Sequence, residues 1–374
     1  MSRPIAFLLA LSTGVVLAGC ADRPVSPAAL TAPASLLSSR SESRGDESDA
    51  ELGENGLERA RRPFTFAVIG DTPYGAAKLA EFPSLVATMN SDPAVDFVVH
   101  VGDIKAGKNA PCTNEYFATV RSLFDTFSDP FVYTPGDNEW TDCHQAGKNN
   151  GLYTPTERLA KVRSLFFPVP GRTLGVNAMP VRSQVNDRAN SAYVENVQFE
   201  RGRVTFATLN IPGSNNDGVS WGTPLPADAG AYPSQAAEQV ARARANAAWL
   251  ARTFAEAREE KASAVVLIFQ ADMWDTTEPT LAGYDALVAQ IGRLAAAFGK
   301  PVLLLEGDSH VFTVDNPYSA ASPLHSVHAE TPVAENVTRI VVEGSDKGRT
   351  EYLRVTVNPR PKAVPFAWER VPLH

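Results

Sequence analysis

The chain has little cysteine, three residues in 374, and no excess of positive charge: 34 lysines and arginines face 42 aspartates and glutamates, a formal net charge of −8. Without a basic surplus, nucleic acid is disfavoured as the main partner, because a phosphate backbone is held by clustered cations. No heptad pattern and no internal repeat is present, which excludes a coiled coil and a collagen-like fibre. No Cys-x-x-Cys spacing supports a thiolate metal site. No Gly-x-Ser-x-Gly elbow follows any predicted strand, which argues against a serine hydrolase. What is present is 44% hydrophobic residues with only 20% charged, enough to bury a sizeable globular core and to exclude a disordered chain.

The first residues carry one positive charge at Arg3, an apolar run from Ile5 to Leu17, and the ending Leu17-Ala18-Gly19-Cys20. The run is shorter than the ~20 residues of a membrane-spanning helix and ends in small residues, so residues 1–20 read as a secretion signal. The ending resembles the bacterial lipoprotein signal, in which the cysteine receives lipid. That resemblance implies a lipid anchor at Cys20 and an exported protein tethered to a membrane, periplasmic or on the cell surface. Residues 21–62 are rich in Ala, Ser and Pro and then in mixed charges, and are expected to form a flexible tether. The remaining cysteines, Cys112 and Cys143, would meet an oxidising compartment, so a disulfide is predicted. Free thiols or a metal site are the alternatives. Closing that loop would contribute about 3–4 kcal/mol in the chain-entropy model.

Folded structure is expected over 63–374 as one domain, since no linker divides it. Short β-rich runs recur at Phe64 to Ile69, Val95 to Val101, Phe131 to Thr134, Val204 to Leu209, Ala264 to Phe269 and Val302 to Leu305. They have the length and branching of buried strands. Helical spacing lies between them, in Val240, Ala243, Ala247, Leu250, Phe254 and Ala257, and in Leu287, Ile291, Leu294 and Phe298. Arg339 to Val342 and Tyr352 to Val357 read as a pair of strands joined by a Gly-Ser-Asp-Lys-Gly turn. The fold class is α/β with a β-rich tail.

Predicted strands end in the same dipeptide at Gly70-Asp71, Gly102-Asp103, Gly136-Asp137 and Gly307-Asp308. In α/β sheets ligands gather at the carboxyl ends of strands, and a glycine there allows close backbone approach while the next side chain enters the crevice. Converging carboxylates raise one another's pKa, so a bound cation is the natural compensation.

In these blocks the sequence resembles the calcineurin-like metallophosphoesterases, which include the purple acid phosphatases. That family orders Asp-x-His, Gly-Asp, Gly-Asn-His-Asp/Glu, a His after a strand, and Gly-His-x-His. Here stand Asp71-Thr72-Pro73, Gly102-Asp103, Gly136-Asp137-Asn138-Glu139, Gln270, and Gly307-Asp308-Ser309-His310. The resemblance implies a four-layer fold of two mixed β-sheets flanked by helices, hydrolysis of phosphate mono- or diesters, and one or two divalent cations. Carried over, Asp71, Asp103 and His310 would hold one cation. Asp103 would bridge to a second, held with Asp137, Asp308 and the amide oxygen of Gln270, for which Asp272 is a substitute. Pro73, Asn138, Gln270 and Asp308 replace histidines. A donor set so rich in oxygen favours manganese, iron, magnesium or calcium over zinc.

Asn138 takes the place of the histidine that acts near the leaving oxygen, and an amide cannot supply a proton at neutral pH. His144 is therefore a candidate acid, and Lys105 and Lys108 are candidate phosphate contacts. His100 is expected to pack in the core. His325 and His328 are expected at the surface, Asn215 and Asn216 in a turn that could also line the crevice, and Asp142 as a supporting or loop carboxylate. A phosphate ester is the expected partner of a monomeric enzyme. The missing histidines leave a second reading open, an inactive member of the fold serving as a metal- or ligand-binding surface lipoprotein.

Overall fold

Strand β1 (Phe64–Ile69) is buried along its whole length, as a run of Phe, Val and Ile in a central strand should be. It pairs in parallel with β2 (Val95–His100), which pairs in parallel with β3 (Phe131–Tyr133). On the other side β1 meets β11 (Glu351–Val357) antiparallel, and β12 (Phe366–Pro372) closes that edge. A second sheet has the order β4-β5-β6-β7-β8-β10-β9. Its strands are β4 (Arg182–Ser183), β5 (Val197–Arg201), β6 (Val204–Thr208), β7 (Ala264–Ile268), β8 (Val302–Glu306), β9 (Thr313–Asp315) and β10 (Val337–Val341). The computed structural model describes residues 62–108, 110–145, 153–222, 226–360 and 365–373, all within one compact unit. The predicted signal, Cys20 and the tether as far as residue 61 lie outside the described residues.

The sheets face each other across an aromatic interior. Phe66 stacks on Phe97 with centroids 4.9 Å apart, and Phe199 on Phe206 at 4.8 Å. Val68, Val99, Val266, Ile268, Leu303 and Val355 fill the space around them. Helices α1 (Gly75–Asn90), α2 (Asn114–Phe124) and α3 (Pro155–Phe166) cover the first sheet through Phe82, Phe117, Phe124 and Val162. Helices α4 (Gln235–Glu259) and α5 (Asp285–Phe298) cover the second through Trp249, Leu250, Phe254 and Ile291. The result is the four-layer α/β sandwich of two mixed sheets expected for a calcineurin-like fold. Among the described residues no helix is long and apolar enough to cross a membrane.

Two expectations about local structure are corrected. The tail strands do not pair with each other: β10 lies between β8 and β9, whereas β11 lies between β1 and β12. Each extends a different sheet, so the segment between them passes from one layer to the other. Along α4 the apolar face predicted from Val240 and Ala243 is wrong in its first half, since Val240 is 71% exposed. The buried residues there are Glu238, Arg242 and Asn246, and the ion pair between Arg242 and Glu238 at 3.0 Å makes that burial tolerable. Cys112 and Cys143 form a disulfide.

Candidate metal centre

The Gly-Asp dipeptides follow β1, β2, β3 and β8 at the same end of the sandwich. Asp71 N donates to Gly102 O at 3.0 Å and Thr72 N donates to Asp103 O at 3.0 Å, so the first two loops run side by side. Asp308 N donates to Asp71 Oδ1 at 3.1 Å, joining the two sheets through the site. Asp71, Asp103, Asp308 and His310 have φ of 50°, 59°, 73° and 64°. Side chains enter this left-handed region at a cost, Asp more readily than most, and such strain collects at functional sites. The glycine of the third block is needed for close approach. A Cβ at Gly136 would lie 2.0 Å from Asp103 Oδ1.

Two groups of ligand atoms result, each within 4.8 Å of one another: Asp71, Asp103 and His310, and Asp103, Asp137 and Asp308. Asp103 belongs to both. A hydroxyl that the sequence reading missed caps the first group. Tyr74 Oη lies 3.3 Å from Asp71 Oδ1, 3.1 Å from Asp103 Oδ2 and 3.3 Å from His310 Nε2, and accepts from Asn138 Nδ2 at 3.2 Å. A phenol has one proton, so it cannot serve two carboxylates at once. Asp71 Oδ2 is buried with no hydrogen-bond partner. Crowded acceptors, an orphaned buried oxygen and an imidazole nitrogen make a donor set that fits a divalent cation. The sequence signal for Tyr74 was an aromatic residue with a polar tip in the loop where the family carries an imidazole.

Burial, and then the neighbouring carboxylates with Asp137 foremost, push Asp103 and Asp308 well above the usual carboxylate range. Burial and then Asp103 raise Tyr74 far above an ordinary phenol. For His310 burial acts downward, but its hydrogen bond to Asp71 and the charges of Asp71 and Asp346 prevail and raise it to about 9. Without a cation the centre therefore tends to hold protons. The groups open on a cavity of about 630 Å³, lined also by Lys108, Asn138, Asp142, Ser214 and Glu278.

Residues 64–219 match the family model described as calcineurin-like phosphoesterase. Residues 64–219 thus carry a calcineurin-like phosphoesterase domain. The matched span includes Asp71, Asp103 and Asp137 and ends before Gln270, Asp308 and His310. No curated protein matches the chain. Among solved structures, that of GAP50, the anchor in the inner membrane complex of Plasmodium, aligns over 83% of this chain and 89% of its own with 10% identity and a TM-score of 0.45.

Several predicted site residues lie elsewhere than expected. Gln270 turns its amide oxygen to Gly213 N, while Nε2 faces Asp103 Oδ2 at 3.2 Å and Asp137 Oδ1 at 3.3 Å. It donates to two of the candidate ligands, and its own oxygen is turned to Gly213 N. Asp272 is paired with Arg339 and caps Trp274 N at 3.0 Å, so its carboxylate is no substitute ligand. Lys105 is fully buried and donates to the carbonyls of Ala106 at 2.9 Å and Asn138 at 3.0 Å, away from the cavity lining. Burial lowers its pKa to about 8. Lys108 is the exposed lysine of the rim. His144 is buried with Nδ1 2.6 Å from Thr141 O and does not line the cavity. Asn138 lines it, but its amide hydrogens face Asp103 Oδ2 at 2.7 Å and Tyr74 Oη at 3.2 Å.

His100 packs in the core, between Thr72 O at 2.9 Å and Gly102 N at 3.1 Å. His328, expected at the surface, is buried between Asp285 Oδ1 at 2.7 Å and Met273 O at 2.8 Å. The letters from Gly218 to Gly222 spell Gly-x-Ser-x-Gly, but Ser220 is exposed on a loop rather than held at a strand-to-helix turn.

Proposed function

We propose that this protein is a metal-dependent hydrolase of phosphate esters, exported as a lipoprotein through Cys20. The observation that carries the catalytic reading is the pair of ligand groups sharing Asp103, of which Asp103, Asp137, Asp308 and His310 line one cavity. Asp71, Asp103 and His310 would hold one cation, and Asp103, Asp137 and Asp308 the other. Bound there, divalent cations supply Lewis-acid stabilisation of phosphoryl charge and activation of water at neutral pH. The protein orients the ligands: Gln270 and Asn138 both donate to Asp103, which fixes the carboxylate the two groups share. Oxygen predominates among the donors, which favours manganese, magnesium, calcium or iron over zinc. The leader, its lipid and the membrane tether rest on the sequence from Arg3 to Cys20.

A second reading, a metal-binding surface protein without turnover, is supported by the amide at Asn138, whose hydrogens face Tyr74 and Asp103 rather than the cavity. Purified protein loaded in turn with manganese, iron, magnesium, calcium or zinc, and assayed on phosphate mono- and diesters, separates the two. Turnover that vanishes in Asp103→Asn supports the hydrolase. A folded, metal-loaded protein inert on every ester supports the second reading.

A further inference from the structure

The Gly344-Ser345-Asp346-Lys347-Gly348 segment between β10 and β11 does not turn a hairpin, and neither ligand group includes any of its residues. Because those strands belong to different sheets, the chain crosses here from one layer to the other. It does so at the end of the sandwich where the ligands lie, and it bonds to both layers as it passes. Ser345 donates twice to Asp71 O, from N at 3.1 Å and from Oγ at 2.7 Å. Gly344 N donates to His310 O at 3.0 Å. That approach needs glycine, since a Cβ on residue 344 would stand 2.6 Å from the His310 Cβ. The crossing thus holds one member of the first ligand group from each sheet.

One side chain of the crossing reaches the imidazole itself. Asp346 Oδ1 lies 3.0 Å from His310 Nδ1, while Lys347 Nζ stands 3.7 Å from Oδ2. On the far side of the ring, His310 Nε2 lies 3.3 Å from Asp71 Oδ1 and 3.3 Å from Tyr74 Oη. An ionised carboxylate only accepts, so the contact at Nδ1 calls for hydrogen on that nitrogen. A neutral imidazole carries one N–H, and placing it on Nδ1 leaves Nε2 bare toward Asp71 and Tyr74. An acceptor on the second nitrogen sets both the plane and the tautomer of a metal-binding imidazole. Tyr74 adds a steric limit, its ring meeting that of His310 edge-on at 5.2 Å.

We infer that Asp346 is a positioning residue of the first ligand group: it accepts from His310 Nδ1 and thereby presents Nε2 to the cation. The role presupposes the cation-binding reading of this cavity, in which His310 is a ligand. Only the first group contains His310, so the influence of Asp346 falls on that half of the centre. The crossing therefore does more than join two sheets. Its backbone fixes where Asp71 and His310 stand, and its carboxylate fixes which nitrogen the ring offers.

The test is calorimetric titration of the metal-free full chain with manganese alone. The Asp346 side chain is 41% exposed, so Asp346→Ala removes the acceptor and spares the core. The manganese equivalent that is lost in His310→Ala should weaken about 10–100-fold in Asp346→Ala, with the other equivalent unchanged. Asp346→Asn removes the charge but keeps an acceptor oxygen, and should restore most of that affinity. Nitrogen-15 spectra of the zinc-loaded wild type, with the His310 ring assigned by its absence in His310→Ala, should show hydrogen on Nδ1 and zinc on Nε2. Zinc on Nδ1 overturns the assignment. So do equal losses from both equivalents, or an asparagine variant as weak as the alanine one, since either means that Asp346 acts through its charge alone. Unaltered affinity in Asp346→Ala overturns it as well and leaves the metal centre standing. A folded wild-type chain that takes up neither manganese nor zinc overturns both. None of these readouts depends on turnover, so hydrolysis of an aryl phosphate by the manganese-loaded chain decides the hydrolase reading separately.

Discussion

The two ligand groups share Asp103 but are built differently. The first combines two carboxylates with the imidazole of His310 and is capped by the Tyr74 hydroxyl. The second consists of the carboxylates of Asp103, Asp137 and Asp308, with Ser214 and Asp142 at its border. One sheet's strand ends supply Asp71, Asp103 and Asp137; the other supplies Asp308 and His310. The centre is thus assembled across the sandwich rather than within one layer, and its two halves have different chemistry. An imidazole tolerates borderline metals, whereas a purely carboxylate group selects hard cations.

The largest effect belongs to what the halves have in common. Asp103→Asn removes charge from both groups, and turnover is expected to fall on the order of 10³-fold, the equivalent of several kcal/mol of lost phosphoryl stabilisation. Metal analysis should show both equivalents weakened. Retention of one tight equivalent would show that Asp103 does not bridge. Cutting the halves separately should give unlike variants. His310→Ala removes the one nitrogen donor of either group, so zinc affinity should drop about tenfold or more beyond the loss for manganese. Asp308→Asn should lose a manganese equivalent and keep the zinc-competent one. Equal responses to the two metals in both variants would erase the distinction.

A smaller effect is expected in the metal-stripped protein. Asp103 and Asp308 are raised on folding by burial and by each other's neighbours. Such carboxyls hold their protons more firmly folded than unfolded, so stability is lost as pH rises from the ordinary carboxylate range through the raised values. His310, raised to about 9, acts with the same sign: its contribution is full below the usual histidine range and lost as pH climbs through about 9. The melting temperature of the stripped chain should therefore decline between about pH 5 and pH 9, by about 2–4 °C for each kcal/mol. Added manganese should flatten the slope, because a cation replaces the protons. A stripped protein that gains stability toward alkaline pH contradicts this account of the cluster.

The sequence exposed the parts of this site that depend on chain-local rules. A β-rich run ending in Gly-Asp predicts a carboxylate at a strand end, and Asp71, Asp103, Asp137 and Asp308 are all there because the sheets place every such end on one side. The parts that were hidden depend on which atom turns which way. Gln270 reads as an oxygen donor until Gly213 N takes its carbonyl and leaves its hydrogens toward the acids. Lys105 reads as a phosphate contact until its ammonium is found capping Asn138 O. Val240 reads as core because periodicity assumes an apolar partner, whereas α4 faces the polar turn at Asn216 and buries Arg242 instead. Pairing of the tail strands failed for a related reason. Sequence adjacency suggests a hairpin, but β11 finds its partner in β1, nearly the whole domain away.

Tyr74→Phe gives the finest cut, since it removes a single oxygen whose only contact with the second group is the shared Asp103. That oxygen contacts Asp71, Asp103 and His310, the three members of the first group, and neither Asp137 nor Asp308. A polar partner around metal ligands is worth about 10–100-fold in affinity when lost, and the low end applies here because Asn138 and Gln270 still hold Asp103. Calorimetric titration with manganese should therefore show the equivalent assigned to the first group weakened about tenfold, with the other unmoved. Asn138→Ala supplies the contrast: its amide meets both Tyr74 and the shared carboxylate, so both equivalents should weaken together. If the phenylalanine variant binds tighter, the hydroxyl competes with the cation for the same three atoms, and Tyr74 is a plug to be displaced rather than a support. If both equivalents shift alike, the halves communicate through Asp103 so strongly that their separate chemistries have no separate consequences.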